Sequence, residues 1–476
     1  MMIFKKMVLL VLCAIAIGAI WAGSAFGQNW PDVFDPAVLL TLNIEMSVAD
    51  WNDVLNDETF DIEKPAWFWA DGEESQKIFV SVRRKSGDPI PSALGGEGVK
   101  ISLKIDINEY IDQDWYGLIK LSLENGDDNN VLTEGIACNL HQMASGPEGY
   151  GYDPWRGNWV KLYVNGEYMG VYVNAEHLDK RFLQNRGLYV WHETWLYQYR
   201  GEYNFTLEVG DDLNPRSPTV NEICYLPFAY QHSNSPLHPD GGLCSVPDDA
   251  NLVSHLNELI NMRGMLSMAA VNAFVANPDS LFSHQRNSHF LDFNKDNPAE
   301  TRKRMYLPWD VDAATQSTTF DIYGGGSPTE YQQLILGNAV FGAQYERIMC
   351  DLLAGPFSET NILDFIDTIE PVLTDALAAD PYNKFPSIGY PGVTEAFNSA
   401  RTWFSQRIAN VQTQISCDCG GANIDGINPV DFGDFVLMAN DWQLNGSVLS
   451  GDINGDETVD WHDFRILALY WLNMCD

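Results

Sequence analysis

Basic residues are scarce in this chain of 476 residues, which has 28 lysines and arginines against 65 aspartates and glutamates. The formal net charge is −37, and such an excess of acid argues against binding nucleic acid or an anionic membrane through a general basic field. Charged residues make up only 20% of the chain and hydrophobic residues 45%, which is a globular composition and not a disordered one. We therefore expect no nucleic-acid partner. The length favours two or three domains.

Long hydrophobic runs are absent after residue 27. Before that point, Lys5 and Lys6 precede the apolar stretch Met7–Ala22, and small residues lead to a cleavage point ahead of Gln28. This pattern predicts a secretory signal peptide over residues 1–27, with an uncleaved membrane anchor as the alternative. We expect a secreted protein, in the extracellular space, the periplasm or at the cell surface, with no membrane span after signal cleavage.

Cysteines are few, and seven of the eight lie after the predicted signal. An oxidising compartment permits disulfides. The spacing suggests that Cys224 pairs with Cys244, and that Cys475 pairs with Cys417 or Cys419. Because seven is an odd number, at least one thiol stays free or pairs elsewhere.

Several catalytic motifs are also absent. The chain has no Gly-x-Ser-x-Gly elbow and no His-Glu-x-x-His zinc helix, which argues against the serine hydrolases and zinc peptidases that use them. It has no Gly-x-Gly-x-x-Gly phosphate loop, and the nearest stretch is Gly95–Gly98. No pair of acids stands out as a glycosidase pair.

Period-two patterns dominate the first part of the chain, and helical periodicity dominates the second. The fold class predicted is therefore α+β, with a sheet-rich N-lobe and a helical C-lobe on either side of a cleft. Asn165-Gly166 predicts a hairpin turn, and residues 205–250 read as a surface insertion. The predicted strands are Val38–Ile44, Lys77–Arg83, Val99–Ile107, Gly117–Leu123, Trp159–Val164, Tyr168–Val173, Ser288–Phe293 and Met305–Leu307. The predicted helices are Val131–Met143, Glu176–Leu183, Leu252–Val275, Tyr331–Leu353, Asn361–Leu377 and Val393–Ile415.

The C-terminal segment contains two similar acidic loops, 29 residues apart. Each has oxygen-bearing residues at positions of a twelve-residue loop that suit Ca²⁺. The first loop has Ile427 at position 5, so we expect its site to be weaker or empty. The ligands predicted in the second loop are Asp452, Asn454, Asp456, Thr458 through its carbonyl, Asp460 and Asp463. Those predicted in the first loop are Asn423, Asp425, Asp431 and Asp434.

These paired loops resemble a type I dockerin, a small all-α domain of two EF-hand-like calcium loops, and the resemblance covers residues 420–476. It implies calcium-dependent folding and binding to a cohesin-like or other surface receptor. The positions that recognise the receptor hold Phe432-Gly433 and Trp461-His462 here, where small hydroxyl residues are common in the family.

Acidic residues also gather between residues 277 and 312. Asp310 and Asp312 follow a predicted strand, and acids at i and i+2 there can direct both carboxylates into a cleft. Such a pair suits Mg²⁺ or Mn²⁺ together with phosphate oxygens. A further aspartate from a separate loop, such as Asp279, can orient a hydroxyl nucleophile, and an asparagine such as Asn287 can complete the metal shell.

The order of these segments resembles that of the CotH kinase family, spore-coat-type protein kinases with a divergent kinase-like fold, over residues 36–415. The most specific elements are Asn-Gly-x-Tyr-x-Gly-x-Tyr, which starts at Asn165, and Pro-Trp-Asp-x-Asp, which ends at Asp312. The supporting elements are Arg83-Arg-Lys85, Val99–Ile105, Thr133-Glu134, Glu176 with Asp179, and Asn277-x-Asp279.

The resemblance implies a role for each matching residue. Lys104, with Lys100 as the alternative, would contact the phosphates of ATP, and Glu134 would be the ion-pair partner of that lysine. Asp279 would be the catalytic aspartate. Asn287, Asp310 and Asp312 would hold Mg²⁺ or Mn²⁺.

The function expected is that of a secreted kinase that transfers the γ-phosphate of ATP to serine or threonine of an extracellular protein. Two alternatives stay open at this point. One is a catalytically inactive surface-assembly protein that binds partners through its cleft and its dockerin. The other is a carbohydrate-associated enzyme, which rests on the usual association of dockerins.

Overall fold

The computed structural model of the chain describes residues 30–93, 98–145, 154–199, 205–211, 213–214, 253, 256–284, 287–294, 296–324, 332–415, 417, 421–425, 429–446 and 449–471. The predicted signal peptide lies outside these residues, as does most of the predicted insertion 205–250. Within the described ranges, no helix combines the length and the apolar character that a membrane crossing needs.

The described part of the chain contains thirteen strands and nine α-helices, which confirms a mixed α+β fold. The strands are β1 (Leu40–Glu45), β2 (Lys64–Ala70), β3 (Ile78–Arg84), β4 (Ile90–Pro91), β5 (Val99–Lys100), β6 (Leu103–Asp106), β7 (Lys120–Glu124), β8 (Gly157–Val164), β9 (Glu167–Glu176), β10 (Thr194–Tyr199), β11 (Phe205–Val209), β12 (Ser288–Phe293) and β13 (Met305–Pro308). The helices are α1 (Val48–Leu55), α2 (Val131–Ser145), α3 (Lys180–Asn185), α4 (Met262–Phe274), α5 (Ala339–Ala354), α6 (Glu359–Ala379), α7 (Val393–Gln414), α8 (Phe432–Asn440) and α9 (Trp461–Leu469).

Seven strands of the first half close into a barrel in the order β1-β2-β3-β6-β7-β9-β8. β1 and β8 are parallel, and the other neighbours in the barrel are antiparallel. Alternate residues of each strand point inward and form a core that includes Leu42, Phe68, Val82, Ile105 and Leu121. The intervening residues of β3, β6 and β7 point outward, and many of them are charged.

The hairpin β8–β9 and helix α2 cover one side of the barrel. Asn165 and Gly166 turn the hairpin with φ of 52° and 82°, as a two-residue turn with positive φ at both positions requires. α2 packs against β8 so closely that a Cβ at Gly135 would lie 2.3 Å from the Trp159 ring. The Trp159 indole also donates to the Val131 carbonyl at 2.7 Å, which fixes the start of α2 on the barrel.

A second, antiparallel sheet has the order β11-β10-β12-β13 and packs against helices of the second half. Its core continues through α2 and the outer surface of β9, so the outer side of the barrel and the second half share one hydrophobic cluster, separate from the core inside the barrel. Since the end of β13 and the start of β12 are paired (Ser288 with Pro308), the segments around residues 287 and 310 are brought side by side.

Two predicted helices are interrupted by asparagine caps. The pattern over Leu252–Val275 predicted one helix, but α4 begins after Asn261, whose side chain accepts a hydrogen bond from the Gly264 amide at 3.0 Å. The predicted helix Tyr331–Leu353 is likewise divided before α5, where Asn338 caps the first turn. The apolar periodicity continues through both breaks, so it could not reveal them.

The predicted helix Glu176–Leu183 is also corrected. β9 extends to Glu176, and α3 begins only after Asp179, whose carboxylate accepts hydrogen bonds from the amides of Arg181 and Phe182. Glu176 itself is buried and bound to Arg186 at 2.8 Å. Both acids therefore have structural roles at the end of the barrel.

A disulfide joins Cys350 of α5 to Cys417, with 5.3 Å between their Cα atoms. The predicted alternative of Cys417 with Cys475 is therefore wrong, because it needed the same sulfur. Cys419, Cys475 and the predicted pair Cys224–Cys244 lie outside the described residues. Cys138 of α2 is buried and free.

Candidate functional site

A row of basic side chains lies on the outer surface of the barrel. Arg83 of β3 is paired in register with Lys104 of β6, and Lys104 is paired with Ser122 of β7. Lys120 stands two residues before Ser122 on the same face of β7. Lys85 follows β3 and donates a hydrogen bond to the Ser122 hydroxyl at 2.8 Å. The row thus presents four cations on one surface.

Lys104 is the member of this row whose charge is least compensated. It is half-buried and forms no hydrogen bond or ion pair with any residue that the structure describes. Burial, and then repulsion from Lys120 and Arg83, lowers the pKa of Lys104 to about 8. An anionic ligand would stabilise the charged form of a lysine in this state.

A cluster of acids faces the end of the basic row. Asp310 and Asp312 follow β13, Glu124 ends β7, and Glu134 stands in the first turn of α2. The clustering follows from topology, because Asn129, in the loop between β7 and α2, donates hydrogen bonds to the Ala314 carbonyl and the Thr315 hydroxyl at 2.9 Å. These bonds hold the loop before α2 against the segment that follows Asp312.

The carboxylates of this cluster repel one another. Removal of water by the surrounding atoms and repulsion from Glu124 raise the pKa of Asp310 to about 6, although its side chain still reaches solvent. Removal of water and repulsion from Asp310 raise the pKa of Asp312 to about 9. Like charges held this close indicate a place where a cation is to be accommodated.

Glu134 lies deepest in the cluster and is almost wholly buried, at 4% exposure. Burial raises the pKa of Glu134 well above its ordinary value, and repulsion from Glu124, Asp312 and Asp310 adds to this effect. Its Oε2 atom is buried and has no hydrogen-bond partner among the residues described. A buried carboxylate oxygen without a partner is costly to the fold, so it marks a position where a ligand would be stabilising.

Lys85 connects the basic row to the acids. Its ammonium forms an ion pair with Glu124 and attracts the Asp310 carboxylate. It also lies 5.8 Å from the centre of the Trp309 ring, within reach of a cation–π contact. Trp309 in turn packs against Trp155, so the residue before Asp310 is fixed between the barrel and the second sheet.

The backbone near the acids is unusual. Among the described residues between positions 276 and 315, four other than glycine have positive φ, with values of 53° for Ala276, 48° for Asn287, 57° for Asp310 and 65° for Thr315. Each such conformation costs about 1–3 kcal/mol, and they tend to occur at functional sites, where the surrounding structure maintains them. Here the Trp309 amide donates to the Asn287 carbonyl at 3.0 Å, which brings Asn287 beside Asp310.

Asp279 lies in the turn after α4. Its amide donates to the Asn277 side chain at 3.1 Å, and its carboxylate contacts His284 Nδ1 at 3.0 Å. The side chain is partly exposed. The turn leads through residues 285–286, which are not described, to Asn287, so Asp279 belongs to the chain segment that borders the acid cluster.

The structure corrects the predicted partnership of Glu134. Lys104 and Glu134 form no ion pair in the part of the chain described, because Lys104 lies on the outer face of β6 while Glu134 faces other acids. Lys100, the alternative to Lys104 in the prediction, is attracted by Glu134. It is buried, donates to the Val171 carbonyl, and pairs with Asp380 at 3.4 Å.

Two site residues, Lys85 and Glu124, received no role from the sequence. The signal was present in strand alternation, since Lys120, Ser122 and Glu124 follow each other at intervals of two, as do Arg83 and Lys85. What the sequence could not provide was the pairing of β3, β6 and β7, which places these residues on one face.

The first acidic loop of the C-terminal segment gathers its ligand candidates closely. Asp425, Asp431 and Asp434 are the one trio of acids in the described residues whose ligand atoms lie within 4.8 Å of one another. Asn423 Oδ1 is buried and has no hydrogen-bond partner among the described residues. The first loop was expected to be the weaker one, yet its oxygens converge. Ile427 lies outside the described residues.

In the second loop, backbone amides donate hydrogen bonds to the carboxylates of Asp452 and Asp463. Asp452 accepts hydrogen bonds from Gly455, Asp456 and Glu457 at 2.7–3.0 Å, and Asp463 accepts from Asn454 and Asp460 at 2.9 and 2.8 Å. The Asp460 carboxylate caps α9 through the His462 amide, and the Thr458 hydroxyl donates to Asn445. Burial, and then repulsion from Asp463 and Asp456, raises the pKa of Asp452 to about 6.

Comparison with known proteins gives one family. The family model described as CotH, CotH kinase protein, matches residues 97–411, about two thirds of the chain. The match includes β6, β7 and α2, which carry Lys104, Glu124 and Glu134, and it includes Asp310, which follows β13. No curated protein matches the chain.

Proposed function

We propose that this chain, which belongs to the CotH kinase protein family, is a secreted protein kinase that transfers the γ-phosphate of ATP to serine or threonine of an extracellular protein. Family membership supports a kinase-like function. The observation that carries the proposal is the position of a row of cations on the barrel beside a cluster of acids, with Lys85 between the two.

The acids fit a divalent cation. Asp310 and Asp312 are close enough to share a hydrogen bond, Asp310 raises the pKa of Asp312, and the orphan Oε2 of Glu134 lies among the same acids. Mg²⁺ or Mn²⁺ would be held by Asp310 and Asp312, with Asn287 nearby. Such cations commonly take one or two protein carboxylates and complete their shell with phosphate oxygens. When bound, the cation would neutralise charge on the β- and γ-phosphates.

The basic row fits the phosphates. Lys104 offers an uncompensated ammonium, and Arg83 and Lys120 flank it. Lys85 is held at the boundary with the acids by Glu124 and Ser122, so it would contact the phosphates nearest the cation. These fixed charges would position ATP and offset its negative charge during transfer.

Asp279 would orient the acceptor hydroxyl. Its carboxylate would accept the hydroxyl proton while the acceptor oxygen bonds to the γ-phosphorus and the bond from that phosphorus to the β–γ bridging oxygen breaks, which leaves ADP. His284 holds one oxygen of Asp279 at 3.0 Å.

Labelled ATP tests the catalytic claim. Full-length protein is incubated with γ-labelled ATP and Mg²⁺ or Mn²⁺, and label is measured on the protein itself and on a general acceptor protein. Asp310→Asn should lower transfer by about 100-fold or more, because it removes a charge that would hold the cation. Asp375→Asn, an exposed acid of α6, should transfer like the native protein. Equal transfer by both variants, or none by the native protein, contradicts the proposal.

A second function has some support. An inactive descendant would keep the cleft for binding and would serve in surface assembly, and the lack of a Gly-x-Gly-x-x-Gly loop favours it. Exposed apolar side chains on the C-terminal helices, Phe432, Val436 and Trp461 at 54–71% exposure, also favour a binding role. ATP binding without transfer of label would distinguish this function from the kinase.

We further propose that residues 420–476 form a dockerin-like module that binds Ca²⁺ and attaches the protein to a cohesin-like or other surface receptor. Two observations support a cation in the first loop: Asp425, Asp431 and Asp434 converge, and the buried Asn423 Oδ1 has no hydrogen-bond partner among the described residues. The exposed positions Phe432 and Trp461 would contribute aromatic contacts to the receptor.

Calcium titration followed by far-ultraviolet circular dichroism tests the module. Ca²⁺ should increase the helical signal of the full chain, and Asp452→Ala and Asp463→Ala should reduce the increase, because each removes a ligand. An identical spectrum in Ca²⁺ and in chelator for the native protein would refute the calcium assignment.

A further inference from the structure

The second loop of the C-terminal module lies against a basic surface of the CotH domain. Arg263 of α4 donates a hydrogen bond to Asn454 Oδ1 at 3.0 Å, and its guanidinium lies 3.4 Å from Asp456 Oδ2. Lys303 bonds both oxygens of Glu457 at 2.9 and 3.0 Å. These contacts join a loop near the C-terminus to side chains that precede it by more than 150 residues.

Arg347 of α5 holds the backbone of the same loop. Its Nη1 donates to the carbonyls of Ile453 at 2.6 Å and Asp452 at 3.3 Å. The chain enters the module past this arginine at Gly421, which has φ of 77° and where a Cβ would lie 2.8 Å from Arg347 Nε. The entry of the chain therefore requires glycine at this position, for conformation as well as for space.

The connection to the module is short. The disulfide holds Cys417 on Cys350 of α5, so the module begins within a few residues of the helix that carries Arg347. Asp351, which follows Cys350 in α5, is attracted by three arginines, Arg347, Arg263 and Arg465. Arg465 belongs to α9 of the module. A tether this short gives the loop a high effective concentration at the basic surface.

Two side-chain oxygens of the second loop contact Arg263 and also stand at positions that would bind Ca²⁺. Asn454 and Asp456 occupy positions 3 and 5 of the loop, where EF-hand-type loops direct side-chain oxygens at the cation. In this structure Arg263 binds Asn454 Oδ1 and lies beside Asp456 Oδ2. A guanidinium and Ca²⁺ on the same oxygen would be close like charges, which is unfavourable.

We propose that Arg263, Lys303 and Arg347 form an internal receptor for the second loop, and that Ca²⁺ competes with Arg263 for that loop. The competition rests on the calcium binding proposed above, whereas the docking does not. By linkage, docking weakens Ca²⁺ binding to the second loop by the same factor by which Ca²⁺ weakens docking. Calcium concentration would then decide whether the module is held against the CotH domain.

Calcium affinity of the full-length protein tests the competition. Isothermal titration with CaCl₂ compares three proteins that all carry Asp431→Asn, which weakens the first loop: one without a further change, one with Arg263→Gln and one with Arg302→Gln. Arg302 is a matched control because it is the arginine directly before Lys303 and it pairs with Glu300. Arg263→Gln should bind Ca²⁺ about tenfold more tightly, which is the effect of about 1.4 kcal/mol. Unchanged or weaker affinity in Arg263→Gln overturns the competition.

Hydrogen exchange tests the docking separately, and it is measured on the CotH domain. In chelator, amides in the first turn of α4 and around Arg347 of α5 should exchange several-fold faster in Arg263→Gln than in Arg302→Gln. Ca²⁺ should speed the same amides in the native protein. Equal exchange in the two variants overturns the docking. If no variant binds Ca²⁺, the calcium proposal and the competition both fail, while faster exchange in Arg263→Gln still supports the docking.

Discussion

At the scale of single residues, Lys104 shows how the barrel prepares a cation for a ligand. Its neighbours Arg83 and Lys120 are also cations, and no described carboxylate is bonded to it. The fold tolerates this because the side chain is only half-buried. Keeping this uncompensated ammonium half-buried costs free energy, which contacts with phosphate oxygens would offset. The position of Lys104 therefore suits ligand binding more than it stabilises the fold.

The first prediction concerns Lys104 and pH. Its pKa is about 8 in the free protein, and a lysine is charged below its pKa, so its attraction for phosphate should weaken as pH rises through that value. Affinity for ATP should fall between about pH 7 and about pH 9 in the native protein. Lys104→Met should bind ATP about tenfold more weakly at about pH 7 and should lose most of that pH dependence.

Isothermal titration with ATP and Mg²⁺ at several pH values measures both effects. Lys161→Met, which removes a lysine from β8, is the control and should behave like the native protein. A Lys104→Met protein with native affinity and a native pH profile would show that Lys104 does not meet the phosphates.

At the scale of elements, Arg407 holds together the segments that border the site. It lies on α7, is completely buried, and donates to the carbonyls of Ala273 and Phe274 at the end of α4. It also donates to the carbonyls of Thr318 and Phe320. Carbonyls at a helix C-terminus lack partners within the helix, and a cation there is favourable. Arg407 thus fixes α4 beside the chain that follows Asp312.

The second prediction follows from these four bonds. Arg407→Met should lower the free energy of unfolding by about 3 kcal/mol, because buried carbonyls lose their donors. Arg401→Met, on the same helix, removes ion pairs with the exposed Asp367 and with Glu370 and an exposed hydrogen bond to Asn398, and it should cost less than about 1 kcal/mol. Urea unfolding of the two variants measures both values. Equal losses would mean that the Arg407 bonds contribute little.

Elements were predictable where the signal was local. The hairpin at Asn165-Gly166 and helix α2 could be predicted because turn chemistry and periodicity act within a few residues. The contrast is Lys100, which pairs with Asp380 at a separation of 280 residues. The predicted strand Val99–Ile107 is in fact two strands, β5 and β6, and the break sends Lys100 inward while Lys104 stays outside.

The candidate site could likewise be predicted from the sequence only where the signal was local. Asp310 and Asp312 could be selected because they are spaced by two after a strand. The role of Lys85 and the failure of the Lys104–Glu134 pair depend on which strands are neighbours in the barrel, and period-two patterns do not specify neighbours. The pairing of Cys350 with Cys417 likewise depends on where α5 packs.

At the scale of the whole molecule, the positions of the charged residues say more about function than the net charge does. The chain carries 65 acids against 28 bases, yet seven of those bases gather in two places. Arg83, Lys85, Lys104 and Lys120 line the barrel, and Arg263, Lys303 and Arg347 hold the second loop. Each basic group lies beside acids proposed to bind divalent cations. In so acidic a protein, bases gathered in this way indicate specific anionic partners.

The candidate site is assembled from distant parts of the chain, from Lys85 on the barrel to Asp312 beyond β13, so it exists only when both halves are folded together. ATP binding to the full-length protein, measured by isothermal titration in Mn²⁺ and in chelator, tests this account most directly. We predict binding in Mn²⁺ that is weakened at least about tenfold in chelator and in Asp310→Asn, with native affinity in Asp375→Asn. ATP binding that is the same in chelator, in Asp310→Asn and in the native protein would contradict the account.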